Sequence, residues 1–240
     1  MSETLIFAAV LIPSLIIAIV FHEVAHGWVA LALGDPTAKE ERRLSFNPIR
    51  HVDPVGTLVV PGLMAIASGP IFGWAKPVPV MKNRLNNPRY GMMAVGAAGP
   101  AMNFVLAFFG AVLLGLTMPD APVFMAGSTG LPMISDQLGQ SYPLATGAFV
   151  FITINIFLGL FNLLPIPPFD GSHIVEGLLP PSLARKYEAL RPAGMLVLFA
   201  IVALSWFAPG LGIIENVVLP PVNGMTNFYL GLADGIAALG

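Results

Sequence analysis

The sequence predicts an all-α polytopic membrane protein, and three observations predict it. Of 240 residues, 56% are hydrophobic and 10% charged, against about 25% charged in ordinary soluble domains; mean hydropathy is +0.80. Apolar stretches near the ~20 residues that a bilayer core demands recur along the chain. Every Lys and Arg lies within residues 39–89 or 185–191, as expected when basic loops gather on one face of a membrane. A water-exposed globule is excluded by this composition. The absence of Cys removes thiolate chemistry, and a net charge of -2 argues against nucleic acid as a partner.

Four spans are expected, at about 5–33, 91–118, 145–164 and 193–208. Residues 211–240 are apolar but broken at Pro220, Pro221 and Asn223, leaving a fifth span or a half-helix open. The first stretch lacks the basic start of a signal peptide and is too long for one, so it reads as retained. With basic loops cytoplasmic, the N-terminus lies outside a cell membrane and both basic regions fall inside. The whole of residues 1–240 reads as one transmembrane domain. A small membrane-associated β or re-entrant region is expected at about 44–80, between the first two spans. Residues 57–67 are half a span long, and residues 72–80 read as an edge strand. Pro77 and Pro79 there strip one edge of donors, while Val78 and Val80 can still donate on the other.

The first span carries His22-Glu23-Val24-Ala25-His26, the pattern H-E-x-x-H. Residues four apart share a helical face, so both imidazoles can hold one metal ion. Glu23 stands beside them to take a proton from a water the metal polarises. The competing reading is a polar relay, as in a transporter or ion-path protein using the buried His, Glu and Asp side chains. Each ionisable residue near the membrane core costs at least ~2.5–3.5 kcal/mol, so three within little more than one turn imply a strong function. His26 lies about seven residues before the helix end, roughly 10 Å, which places the site near the cytoplasmic side.

Catalytic zinc takes three protein ligands, and the candidates for the third are His51, Asp53, Asp170, His173 and Glu176. Asp170 follows a helix break at Pro165, Pro167 and Pro168, where irregular backbone implies a protein-lined or wet cavity. It reads equally well as a helix N-cap. In the second span Gly96 and Gly99 permit close helix approach. Asn103 needs a partner inside hydrocarbon, either in packing or on a substrate backbone.

Taken together, His22-Glu23-x-x-His26, Gly99-Pro100-x-x-Asn103 and Asn162-x-x-Pro165-x-x-x-x-Asp170-Gly171 resemble the three motifs of the site-2 proteases, the intramembrane zinc metalloproteases. The resemblance implies one Zn2+ per chain held by His22, His26 and Asp170, with Glu23 as general base. Asn103 and Asn162 would position the substrate strand. It implies cleavage of transmembrane protein substrates such as anti-sigma factors or remnant signal peptides. The chain looks like a minimal member, without a PDZ or CBS module.

Overall fold

The structure is a computed structural model, and it describes residues 3–60, 63, 66, 74–126 and 132–239. Its long helices are α1 (Glu3–Ala32), α2 (Pro88–Thr117) and α3 (Pro143–Asn162). Three short or late ones follow: α4 (Gly171–Leu178), α5 (Pro181–Glu188) and α6 (Arg191–Phe207). The chain ends in α7 (Leu219–Ala237). Local chemistry sets the boundaries. Asn87 caps α2 by accepting from the Tyr90 N–H, with Pro88 at the first helical position, where its missing N–H costs nothing.

α1, α2 and α3 are each long and apolar enough to cross a membrane. The fourth expected span, at about 193–208, is met only in part. α6 has only 17 residues and reaches span length jointly with α5, from which it is bent by 60°. Leu15, Ile16 and Ile17 on α1, Phe108 and Phe109 on α2, and Leu196 and Phe199 on α6 face outward, an apolar surface too large for a water-soluble protein.

The apolar core lies where α2, α3 and α7 meet. Ala107, Ala111 and Leu114 pack against Ala148, Ile152 and Ile156, with Tyr229 and Ala233 closing from α7. The Tyr229 hydroxyl donates to the Phe104 carbonyl at 2.9 Å, so the tail beyond residue 211 docks on the bundle as a helix.

The β region is corrected. The described sheet is a two-stranded antiparallel hairpin, β1 (Val123–Ala126) and β2 (Pro132–Ser135), with Phe124 opposite Ile134. It lies between the second and third spans rather than between the first two. Residues 74–81 form an extended strap without a ladder partner among the described residues. Residues 61, 62, 64, 65 and 67, and residues 72 and 73, fall outside the described set, so the expected re-entrant segment is described only in part.

Beyond α1, Asp35 organises a tight corner and is fully buried. Its Oδ1 accepts from the N–H and hydroxyl of Thr37, and its Oδ2 accepts from the Met81 N–H at 2.6 Å. Burial alone would raise its pKa, but the Thr37 hydroxyl, the two backbone donors and nearby Arg84 outweigh it and hold the carboxyl below its usual 3.8. A depressed native pKa stabilises the fold above the unfolded value, and that contribution is lost as pH falls through the native one. The stability gap between wild type and Asp35→Asn is therefore expected to narrow as pH drops from about 5 to about 3. Thermal melts in detergent across that window check it.

Candidate metal centre

Three side chains from two segments converge on one point. His22 Nε2 and His26 Nε2 lie 3.0 Å apart, and Asp170 Oδ2 lies 3.1 Å from the first and 3.3 Å from the second. His22 and His26 are buried and Asp170 nearly so. Ligands about 2.0–2.1 Å from a tetrahedral zinc sit about 3.3–3.4 Å from one another. The observed triangle is that size.

The other ring nitrogens fix what these atoms can do. His26 Nδ1 faces the Val95 carbonyl at 2.6 Å, an acceptor only, so Nδ1 carries the proton. His22 Nδ1 faces Asn103 Oδ1 at 2.6 Å. The Asn103 amide nitrogen is committed to the Ala18 carbonyl and Asn155 Oδ1, which orients its oxygen to the histidine. With Nδ1 as the protonated nitrogen, a neutral imidazole at either position would aim its Nε2 lone pair inward, at the other ring and at a carboxylate. Asp170 Oδ2 is buried without a hydrogen-bond partner among the described residues. Three electron-rich atoms crowded this way repel one another unless a cation sits among them, so the donor set fits zinc.

Glycines make the approach possible. A Cβ on Gly99 would strike His26 Nε2 and lie 2.5 Å from His22 Cε1 and 2.6 Å from His22 Nε2. A Cβ on Gly96 would lie 2.9 Å from the Asp170 carbonyl oxygen and from His173 Cβ. α2 thus slides its bare face between α1 and the start of α4. Gly171 lies so close to the end of α3 that a Cβ would collide with the Leu163 carbonyl, and this tight return brings Asp170 back to the histidines.

Asp170 does occupy the N-cap position of α4, yet its side chain caps nothing. The remaining candidate ligands are engaged elsewhere. His51 Nε2 donates to the Ser45 carbonyl, and Asp53 caps a short helical turn at Val55 and Gly56. His173 Nδ1 accepts from Arg191. Glu176 sits between Lys82 and Arg191, 2.5 Å from each. Burial would raise the Glu176 pKa, but those two cations hold it below the usual carboxylate value. This clasp, with Arg89 donating to the Gly177 and Leu179 carbonyls, fixes α4 against the start of α2 and the loop at Lys82.

The two asparagines expected at a substrate have other partners. Asn103 is fully buried between His22, Ala18 and Asn155. Asn162 donates to the Leu158 carbonyl one turn back on α3. Asn155, fully buried on α3, is a member of the site that motif reading missed. The signal was present, since an amide in the middle of an apolar span needs a partner as much as Asn103 does. It donates to the Phe151 carbonyl and accepts from Asn103, so α3 orients His22 through α2. Replacing Asn103 by Ala is expected to weaken zinc binding about 10–100-fold, the usual loss when a ligand's orienting partner is removed. Competition with a zinc-binding dye measures it.

Glu23 does not belong to the triangle. Its Oε2 accepts from the Val78 N–H at 2.8 Å. The Val78 N–H, expected from the sequence to be a donor on the edge strand's second side, already serves Glu23.

Comparisons with known proteins agree with the geometry. The model of peptidase family M50 matches residues 10–204. YwhC of Bacillus subtilis, provisionally named a zinc metalloprotease, is 38% identical over 227 residues, 94% of this chain and 91% of that protein. Rip2 of Mycolicibacterium smegmatis, named in the same way, is 28% identical over 200 residues, 80% of this chain and 67% of that protein. A solved site-2 protease from Methanocaldococcus jannaschii aligns with 96% of this chain and 79% of its own length, at 19% identity and a TM-score of 0.43. Matched to the family model over most of its length, and carrying a zinc-sized donor triangle between its long apolar helices, the chain belongs to peptidase family M50.

Proposed function

We propose that this protein hydrolyses peptide bonds in or near single transmembrane helices of other membrane proteins, with His22, His26 and Asp170 as zinc ligands and Glu23 as general base. The observation that carries the reading is the convergence of two tautomer-fixed Nε2 lone pairs and one unpartnered carboxylate oxygen, mutually 3.0–3.3 Å apart. Zinc, when bound, would supply a Lewis acid and lower the pKa of a coordinated water from its bulk value to about 7. The chain's own part is positional. Asn103 and the Val95 carbonyl aim the imidazoles, and the Lys82–Glu176–Arg191 clasp holds the helix that begins at Asp170.

Glu23 accepts the proton of the attacking water and returns it to the leaving amine. Its Oε2 is committed to Val78 and its Oε1 has no protein partner among the described residues, so Oε1 is the atom that carries the proton. A helical substrate hides its carbonyls in intrahelical bonds and must unwind before attack. The clustering of basic residues at the α1–α2 connection and around α5 supports an outside N-terminus and a site near the cytoplasmic face of the cell membrane. Anti-sigma factors and remnant signal peptides are substrates of suitable form.

Glu23→Gln tests the reading. Zinc content is expected to stay near one per chain, while cleavage of a transmembrane peptide falls at least about a hundredfold, the scale of general-base catalysis. Wild-type cleavage by that variant would show that Glu23 is not the base.

A further inference from the structure

Glu23 and Gly27 lie one helical turn apart on the face of α1 that meets the strap of residues 74–81. The strap lies close because Gly27 has no side chain: a Cβ there would strike Leu44 and come within 3.0 Å of Val78 Cγ1. Within Pro77-Val78-Pro79 only Val78 has an N–H, and that N–H is the donor to Glu23 Oε2. Both ends of the strap are tied. At one end Arg43 donates to the Lys76 carbonyl at 2.7 Å and the Lys76 N–H donates to the His51 carbonyl at 2.9 Å. At the other, the Met81 N–H donates to Asp35 Oδ2 at 2.6 Å. Four residues between two anchors, two of them prolines with fixed φ, leave little slack in where the Val78 N–H points.

We propose that Asp35 is a positioning residue for catalysis: by clamping the Met81 end of the strap it aims the Val78 N–H at Glu23, and so sets the rotamer of the base. The inference rests on Glu23 being the base. A glutamate has three side-chain torsions, and one charge-assisted hydrogen bond to a fixed backbone donor restricts them. Asp35 suits the task because it takes donors at both oxygens, Thr37 at Oδ1 and Met81 at Oδ2. An asparagine keeps the Thr37 contacts at its oxygen but turns an N–H2 toward the Met81 N–H, donor against donor. The strap end is then released while the corner at Thr37 remains.

The test uses full-length, zinc-loaded protein in detergent with a fluorogenic transmembrane peptide. Asp35→Asn is expected to lower kcat about 10–100-fold, the scale of a misplacement near 1 Å, with KM within about twofold and zinc still near one per chain. Val78→Pro, which deletes the donor itself, lowers kcat in the same way and carries the test where Asp35→Asn does not fold. A second readout needs no activity. In zinc-free protein, hydrogen exchange at the Val78 amide is slow in wild type and faster in both Asp35→Asn and Glu23→Ala. Wild-type kcat in a folded, zinc-loaded Asp35→Asn or Val78→Pro overturns the proposal, as does loss of zinc or a rise in KM in place of the kcat effect. Glu23→Gln run alongside separates the two ideas: if it cleaves normally, the base assignment fails, whatever the strap does.

Discussion

Replacing Gly99 by alanine is expected to abolish zinc binding and, with it, cleavage. The added methyl has nowhere to go. It would overlap His26 Nε2 and stand 2.5–2.6 Å from the edge of the His22 ring, filling the space that a metal needs between the two nitrogens. Neither ring can swing aside cheaply. His22 Nδ1 is held by Asn103 and His26 Nδ1 by the Val95 carbonyl, and α2 cannot back away without opening its packing on α1 and α3. Zinc content should fall from one per chain toward zero. Gly224→Ala is the control, since a Cβ at that position on α7 has no neighbour within 4 Å and alanine improves helix propensity. Full metal content in Gly99→Ala would show that the ion, if any, sits elsewhere.

Asp170→Asn carries the second large effect. The amide preserves shape but removes the negative charge that offsets a divalent cation in a buried site. It also presents either a weaker oxygen or an N–H2 to the two Nε2 atoms. Zinc affinity should drop by more than the roughly 10–100-fold expected when only an orienting partner of a ligand is lost. His173→Ala should leave zinc near one per chain, because that imidazole turns toward Arg191 at 2.9 Å and away from the triangle. Metal analysis of both variants, purified without chelator, separates them. Equal losses in the two would redraw the ligand set.

Much of the site was legible because its chemistry is expensive in a membrane. Ionisable side chains at His22, Glu23 and His26, and a carboxylate after the Pro165–Pro168 break, stand out against apolar surroundings, and residue type and spacing narrow their use. Gly99 and Asn103 were visible as a motif, but their jobs were not. That Gly99 yields to two imidazoles and that Asn103 fixes the proton on His22 are facts of helix contact, which no local pattern encodes. Asn155 lies outside the three motifs and went unread, although an amide inside an apolar span carries the same burden as Asn103. The extended character of residues 74–80 followed from the prolines. The recipient of its single donor did not, because Val78 and Glu23 are far apart in sequence and only the fold brings them together. The hairpin at Val123–Ser135 lay in a loop without basic residues and with weak alternation, so nothing in its composition separated strand from coil. The fourth span was legible only in part: hydropathy counts apolar residues and is blind to the 60° bend between α5 and α6.

The histidines come from the first helix of the bundle and the aspartate from beyond the third, so almost the whole core of the chain lies between the parts of one donor set. An ion bridging them acts as a staple across a very long loop, and in a loosened chain the entropy it removes grows with the logarithm of that loop's length. On the proposed ligand set, metal and tertiary architecture are thermodynamically linked: an ion held there would also fasten the first helix to the stretch after the third, and a metal-starved cell would hold a population that is both inactive and less firmly assembled.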